Sequence, residues 1–324
     1  MKKYRTRTAG AISALAALTL TAGCGNTESS ATAEGGKGQT VSITDAQGRE
    51  VEVPTNPQKV VALDWSVIRT LSDLDIDVDA VPTPQPGLPK DLASYQDATH
   101  VGTIFEPDYE AIAAMEPDLV IVGSRSGNPE IVKEFEKFAP AVLDMSVRAE
   151  KPSEVFDATE ERVVQLGTIF GKKEQAEGLM DDLDTQVDAV SDQAEASDRT
   201  AMVVQVSDGT VSAYGPGSRF GTVYEDFGYR PTKAPLQEKG SHGEEISQEF
   251  FVQYNPGVLF VLDRAKTIGQ DQTPALDVLN KGLIKDTDAA KDNKIVEVDG
   301  FAWYIAPSAP SSWTQMVSDV KDTL

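Results

Sequence analysis

The chain has 324 residues, of which 52 are acidic and 29 are basic, so its formal net charge is −23 at neutral pH. This excess of negative charge argues against nucleic acid and anionic lipid surfaces as partners. The chain contains a single cysteine, Cys24, which excludes an internal disulfide bond.

The first 23 residues have the features of a secretory signal peptide. Basic residues are followed by an apolar run over residues 9–22 and then by a glycine and Cys24. A basic start, a short apolar core and small residues before the cut are typical of such signals, and the run is too short to span a membrane comfortably. Residues 21–24 resemble a lipobox, with Thr21 where leucine is usual. We expect cleavage before Cys24 and a diacylated amino terminus that anchors the protein. The alternative is an ordinary signal in which Cys24 has no role.

Residues 24–39 contain glycine, serine, threonine, alanine and glutamate with almost nothing apolar, which predicts a flexible tether. The folded part therefore begins near residue 40. The residue pattern of its first half predicts a β-hairpin, then short buried strands that alternate with helices, and finally two long helices. The hairpin covers residues 41–53, the strands 59–63, 80–81 and 141–143, and the helices 66–74, 129–138, 154–170 and 173–196.

Two stretches, residues 110–125 and 249–264, repeat one pattern with unchanged spacing. Each runs from a glutamate through a short amphipathic segment to a proline, then through an apolar run to an arginine. A proline ends the helix, and an apolar run bounded by turn residues indicates a buried parallel strand. Ligands bind at the carboxyl ends of strands in open α/β sheets, so each arginine is a candidate for a shared cleft. The glutamates are Glu110 and Glu249, and the arginines are Arg125 and Arg264.

The second half predicts strands over residues 202–206 and 295–298 and a last helix over residues 314–324. Strands that alternate with helices favour mostly parallel sheets. The repeat and the long mid-chain helix favour two Rossmann-like α/β lobes joined by one helix, with the ligand cleft between them; the alternative is one doubly wound domain. We place the signal peptide at 1–23, the tether at 24–39, the amino-terminal lobe at 40–171, the connecting helix at 172–197 and the carboxyl-terminal lobe at 198–324.

Three segments of the second lobe contain residues suited to binding. Residues 215–221 form a glycine-rich loop around Arg219, His242 lies between serine and glycine, and Trp303 and Tyr304 follow a strand. Each has a structural alternative: a tight turn, a structural histidine, and aromatic packing. The loop lacks the lysine and the spacing of a nucleotide-binding motif.

Together these segments resemble catecholate-siderophore-binding lipoproteins, the substrate-binding components of iron-uptake ABC transporters. The resemblance rests on the order Gly-Ser-Arg-Phe-Gly, His-Gly, Asn-Pro-x-x-Leu-Phe-Val-x-Asp-Arg and Trp-Tyr-Ile, and on Val-Gly-Thr-Ile-Phe-Glu-Pro-Asp-Tyr-Glu in the first lobe. It covers residues 41–304. It implies the class III periplasmic-binding-protein architecture, in which one long helix joins two α/β lobes, and a lipid-anchored receptor on the extracytoplasmic face of the cell membrane.

The resemblance also implies a role for each matched residue. The pocket residues that face a ferric siderophore are Arg125, Arg219 and Arg264, with Trp303 beside them. The side chains that complete the iron shell are His242 and Tyr304, and those that dock onto the ABC permease are Glu110 and Glu249. Phenolate and imidazole suit Fe(III), and guanidinium groups offset the charge of an anionic complex and stack on its rings. We expect a monomer without an intrinsic cofactor, in which ligand binding closes the lobes.

Two other kinds of function remain open. The same fold could bind haem, cobalamin or a bare metal ion, although two histidines and no free thiol in the mature chain make a poor metal site. A secreted hydrolase could use a serine with His242 and an acid. The chain has no Gly-x-Ser-x-Gly elbow, so we expect no enzyme activity.

Overall fold

The computed structural model describes residues 39–236, 243–280 and 282–324. Within these ranges, no helix has both the length and the apolar character that crossing a bilayer requires. The predicted signal peptide, Cys24, residues 24–38 of the tether and His242 lie outside the described residues.

The first lobe is a five-stranded parallel sheet with helices around it, preceded by an antiparallel hairpin. The hairpin consists of β1 (Thr40–Thr44) and β2 (Glu50–Pro54). The sheet and its helices are β3 (Val60–Ala62), α1 (Trp65–Asp73), β4 (Ala80–Val81), β5 (Thr99–His100), α2 (Tyr109–Ala114), β6 (Leu119–Val122), α3 (Pro129–Phe135) and β7 (Val142–Asp144). The strand order is β5-β4-β3-β6-β7. Strands β3 and β6 are buried along their whole length, which explains why the sequence shows them as apolar runs.

Two long helices follow the first sheet, α4 (Val155–Ile169) and α5 (Lys173–Ser197). Helix α5 packs against α4 through an apolar face whose buried residues are Ala176, Met180, Leu183, Val187, Val190 and Ala194. It leads directly to the second sheet. The prediction of two α/β lobes connected by one long helix is therefore confirmed; the exact domain limits stay a prediction.

The second lobe contains a six-stranded mixed sheet. Its elements are β8 (Thr200–Ser207), β9 (Thr210–Tyr214), α6 (Thr222–Glu225), β10 (Arg230–Pro231), β11 (Glu244–Glu245), α7 (Gln248–Tyr254), β12 (Val258–Asp263), α8 (Arg264–Thr267), α9 (Ala275–Leu279), α10 (Asp288–Lys291), β13 (Ile295–Glu297) and α11 (Pro310–Lys321). The order is β11-β9-β8-β12-β13, with β10 also paired to β8. Strands β9 and β11 are antiparallel to their neighbours, whereas the other strand pairs of this sheet are parallel, in agreement with the prediction of mostly parallel sheets. The turn between β8 and β9 is Asp208-Gly209, with φ of 52° and 73°, as a two-residue hairpin requires.

The repeated pattern adopts the same local structure in both lobes. Helix α2 ends three residues before its proline and α7 ends two residues before its own, and in both the residue directly before the proline has positive φ: Glu116 at 49° and Asn255 at 36°. A residue before proline is disfavoured in the helical region, so the chain turns there and enters the strand. Strands β6 and β12 are inner strands of their respective sheets. Arg125 and Arg264 each follow the carboxyl end of their strand.

Candidate ligand-binding cleft

Tyr304 lies at the centre of a cleft between the lobes. It belongs to a single π-helical turn, Phe301–Ile305, in which the Ala306 amide donates to the Phe301 carbonyl oxygen at 2.8 Å. Such turns are rare and recur at functional sites. Two adjacent aromatic side chains of this turn differ in exposure: Tyr304 is only partly buried, whereas Trp303 is 2 % exposed.

Trp303 faces the core of the second lobe and does not line the cleft. Its indole Nε1 donates to Asp319 Oδ2 at 2.7 Å, and its ring stacks on Phe260 with centroids 5.7 Å apart. The structure therefore does not bring Trp303 into the cleft with the arginines; Trp303 supports the turn that holds Tyr304 from behind. The sequence alone does not show which of two adjacent aromatic side chains faces the cleft, because this depends on the backbone conformation of the turn.

Three arginines from both lobes surround the Tyr304 ring. The guanidinium carbons of Arg219, Arg125 and Arg264 lie 4.5, 5.2 and 6.0 Å from the ring centroid. Arg264 Nε donates to the Tyr304 hydroxyl at 3.2 Å, and Arg219 Nη2 donates to the Tyr304 carbonyl oxygen at 3.3 Å. The sequence predicted these four residues as one site, and the structure brings them together.

The charges around Tyr304 change its acidity. Burial raises the pKa of the phenol, but the hydrogen bond from Arg264 and the positive charges of Arg125, Arg264 and Arg219 outweigh burial. The pKa of Tyr304 therefore lies below its ordinary value of 10.0. A phenol with a lowered pKa gives up its proton more readily, as an oxygen donor to a hard cation must.

Local structure fixes the position of each arginine, and two of the three follow the carboxyl end of a strand. Arg125 follows Ser124, which has φ of 46°, and the Ser126 hydroxyl fixes this bend by donating to the Leu63 carbonyl oxygen at 2.9 Å. Arg264 is the first residue of α8 and follows β12 directly. These two positions match the prediction that strand ends present the arginines.

Arg219 is placed by the glycine-rich loop before α6. The loop is closed by hydrogen bonds from the Ser218 amide to the Gly215 carbonyl oxygen and from the Gly221 amide to the Ser218 carbonyl oxygen, at 3.1 and 3.0 Å. A Cβ on Gly221 would overlap the Pro216 carbonyl oxygen and the Pro152 ring of the preceding helical segment. The loop is thus a tight turn that also supports a cleft residue.

The cleft is a cavity of about 270 Å³. Its walls are Asp64, Trp65, Ile104, Ser124 and Arg125 from the first lobe and Arg219, Tyr304, Ile305 and Pro307 from the second. Sequence analysis missed Asp64 and Trp65, although they follow the buried strand β3 and the strand-end rule that identified the arginines applies to them equally.

Asp64 is a buried carboxylate in the cleft wall. It caps α1, because Oδ1 accepts from the Ser66 and Val67 amides at 2.9 and 3.1 Å. Burial raises the pKa of Asp64 to about 6, and the two amides and the Arg125 charge offset only part of that effect. The wall of this cationic cleft therefore contains one carboxyl group that titrates near neutral pH.

Glu110 and Glu249 do not line the cleft. Glu110 and Glu249 are exposed in the first turns of α2 and α7, at equivalent positions of the two lobes. His242 is not described; Gly243 after it lies against the Tyr214 ring. Among the described residues, no group of three or more histidine, cysteine, aspartate or glutamate side chains could hold a metal ion.

A family model for periplasmic binding proteins matches residues 60–300, and the chain therefore belongs to the periplasmic binding protein family. Petrobactin-binding protein YclQ of Bacillus subtilis is 31% identical over 314 residues, 96% of each chain. Ferric-anguibactin-binding protein FatB of Vibrio anguillarum is 31% identical over 279 residues, 83% of each chain. The crystal structure of the periplasmic catecholate-siderophore binding protein VctP from Vibrio cholerae has 30% identity and a TM-score of 0.80, covering 88% of this chain and 100% of that one. The resemblance noted in the sequence is confirmed.

Proposed function

We propose that this protein is a receptor that binds a ferric catecholate-type siderophore outside the cytoplasm and delivers it to an ABC permease. We propose further that Cys24 anchors it to the membrane through lipid. The observation that carries the proposal is the convergence of Arg125, Arg219 and Arg264, from both lobes, on the ring of Tyr304. No chemical turnover is part of this function.

The charge of the cleft supports an anionic, aromatic ligand. Ferric catecholates are anions, and three guanidinium groups in a narrow cleft offset such a charge in a chain whose net charge is −23. Guanidinium planes also stack on aromatic rings, as the arginines here do on Tyr304. A neutral hydroxamate complex offers neither property. The names of YclQ, FatB and VctP, which specify petrobactin, ferric anguibactin and a catecholate siderophore, point to the same ligand class.

Two protein side chains are proposed to complete the iron shell when a siderophore supplies too few donors. Tyr304 offers a phenol of lowered pKa within the cleft. His242 is the proposed second donor. The residue after it, Gly243, lies against the ring of Tyr214, on which the charges of Arg219 and Arg264 act. Phenolate oxygen and imidazole nitrogen both suit iron.

A binding titration tests the proposed function. The purified protein is titrated with the ferric complex of the linear dimer of dihydroxybenzoylserine, a bis-catecholate, and separately with ferrichrome, a hydroxamate. Quenching of tryptophan fluorescence reports binding, since Trp65 forms part of the cleft wall. We expect binding of the catecholate only; binding of the hydroxamate alone would reject the proposal.

A matched pair of charge variants makes the test specific for the cleft. Arg219→Gln removes a guanidinium that stacks on Tyr304, and we expect about a ten- to hundredfold loss of catecholate affinity. Arg230→Gln removes the same charge from an exposed arginine of the second lobe that pairs with Asp198. This control should keep the affinity of the wild type. Equal losses in both variants would show that only the overall charge matters.

We also propose that Glu110 and Glu249 are the residues that contact the permease. Both are exposed and each occupies the first turn of its helix, one on each lobe, so a two-fold partner could contact them at the same time. In reconstituted transport, Glu110→Lys with Glu249→Lys should abolish delivery and leave siderophore affinity unchanged. Glu130→Lys is the control, since Glu130 is an exposed acid in the first turn of α3.

A further inference from the structure

Phe105 is the most exposed large apolar side chain among the described residues, at 61% of its surface. A single exposed apolar residue is common and by itself indicates nothing. Phe105, however, follows Ile104, which lines the cleft, and its ring lies 5.7 Å from the Arg125 guanidinium carbon. It therefore stands at the mouth of the cleft, beside a residue of the proposed binding site.

The loop that carries Phe105 is tightly constrained. The Thr103 hydroxyl accepts from the Phe105 and Glu106 amides at 3.3 and 3.0 Å, and the Thr103 amide donates to the Glu106 carbonyl oxygen at 3.0 Å. Gly102 has φ of 85°, and a Cβ there would overlap that same carbonyl oxygen. The exposed position of Phe105 is thus set by a hydrogen-bonded turn rather than by a loose loop.

The ring of Phe105 ends a series of alternating aromatic rings and guanidinium groups that crosses the cleft. In order, the series is Phe105, Arg125, Tyr304, Arg219 and Phe220, and successive ring-to-guanidinium distances are 5.7, 5.2, 4.5 and 5.4 Å. Phe220 is buried at the inner end, whereas Phe105 at the outer end leaves most of its surface to solvent. Tyr304 lies between two guanidinium groups and Phe220 is buried, whereas Phe105 has a guanidinium on one side and solvent over most of its surface.

We propose that Phe105 contacts the bound chelate directly and selects ligands that present an aromatic ring at the mouth of the cleft. This inference rests on the proposed function and adds a specificity-determining residue to it. An aromatic ring of the ligand packs against the uncovered surface of Phe105 beside the Arg125 guanidinium, which extends the series by one member. Burial of the exposed ring upon binding adds a hydrophobic contribution that a ligand without a ring does not receive.

The test compares Phe105→Leu and Phe105→Trp with the wild type, using the ferric bis-catecholate named above. Leucine keeps an apolar side chain and removes the ring, and we expect a three- to tenfold loss of affinity, roughly the effect of one aromatic pair. Tryptophan should retain the wild-type affinity. Leu283→Ala, at another exposed apolar residue, is the control and should leave the affinity for the bis-catecholate unchanged. The melting temperature should be unchanged in both Phe105 variants, because most of that side chain is exposed.

A second comparison separates direct contact from an effect through Arg125. If Phe105 touches the ligand, Phe105→Leu should cost the same factor in an Arg125→Gln background. Loss of that factor in the double variant would mean that Phe105 merely orients Arg125, and would overturn the inference. Wild-type binding with unchanged affinity in Phe105→Leu would also overturn it and leave the proposed function intact. Absence of any catecholate binding by the wild type would reject both.

Discussion

Arg69 in the first lobe donates a hydrogen bond to Ser312 in the second, 3.0 Å from Nη1 to Oγ, although the two residues lie 243 positions apart. Both are buried. Arg69 also pairs with Asp91 at 3.1 Å and lies over the Phe301 ring at 5.5 Å. One guanidinium therefore joins α1, α11 and the turn that carries Tyr304.

A double-mutant cycle should measure this connection. We expect Arg69→Met to lower the free energy of unfolding in urea by about 1–3 kcal/mol, because a buried hydrogen bond from a charged donor is lost while the apolar stem is kept. Ser312→Ala in the same background should show a coupling energy of about 1–2 kcal/mol. Additive effects of the two substitutions would contradict a direct interaction.

Tyr304 should ionise at a lower pH than the tyrosines whose pKa is raised by burial. The three nearby arginines lower its pKa, whereas burial raises the pKa values of Tyr95, Tyr109, Tyr214, Tyr224 and Tyr229. Near-ultraviolet difference absorbance during an alkaline titration reports each phenolate. Tyr304→Phe should remove a step that precedes the ionisation of these five tyrosines, and Tyr109→Phe should leave that step in place; the reverse result would contradict the charge arrangement.

The contribution of Tyr304 to the iron shell should depend on the ligand. With a tetradentate ferric catecholate, Tyr304→Phe should shift the charge-transfer band between phenolate and iron and weaken binding. With a hexadentate ligand, which fills the shell itself, the loss should be smaller. The measurement is absorbance and affinity for both ligands, and equal losses would count against direct ligation.

Asp64 should make the protein less stable as the pH rises. Its pKa is about 6 when folded against 3.8 in the unfolded chain, so between these values the folded state binds more protons and stability falls with increasing pH. The stabilisation is complete below pH 3.8 and is lost as the pH rises through about 6. In Asp64→Asn, which keeps a capping oxygen, this dependence should disappear.

Denaturant titrations of Asp64→Asn and the wild type at several pH values test this. The two should be alike near pH 4, and the variant should be more stable by about 3 kcal/mol at pH 8. The charged groups that act on Asp64 are Arg125, which lowers its pKa, and Asp144, which raises it. A constant difference between the two proteins across the range would refute the assignment.

Gly221 should tolerate no side chain. Gly221→Ala would place a Cβ against the Pro216 carbonyl oxygen and the Pro152 ring, and we expect a cost of about 1–3 kcal/mol in unfolding free energy. Because Arg219 lies on the same loop, catecholate affinity should fall as well. Gly178→Ala in α5, where nothing lies within 4 Å of the added carbon, should instead raise stability by up to about 1 kcal/mol.

Sequence patterns predicted those site residues whose position is set by a single strand or loop. Arg125 and Arg264 could be placed because apolar strands end in a definite direction, and Arg219 because its loop is rich in glycine. Trp303 could not, because its direction depends on a π-helical turn that has no sequence signature. Phe105 was missed for a related reason: its exposure results from hydrogen bonds within a turn, and an exposed phenylalanine has the same sequence pattern as a buried one.

Helix α11, whose Ser312 meets Arg69, also packs against α5, and its Trp313 meets Phe156 of α4 with ring centroids 5.0 Å apart. The first lobe therefore completes one of its surfaces with residues that a ribosome adds 243 positions after α1. At ordinary elongation rates this interval lasts roughly ten to fifty seconds. Throughout that time the nascent first lobe lacks the native cover that α11 gives to this surface.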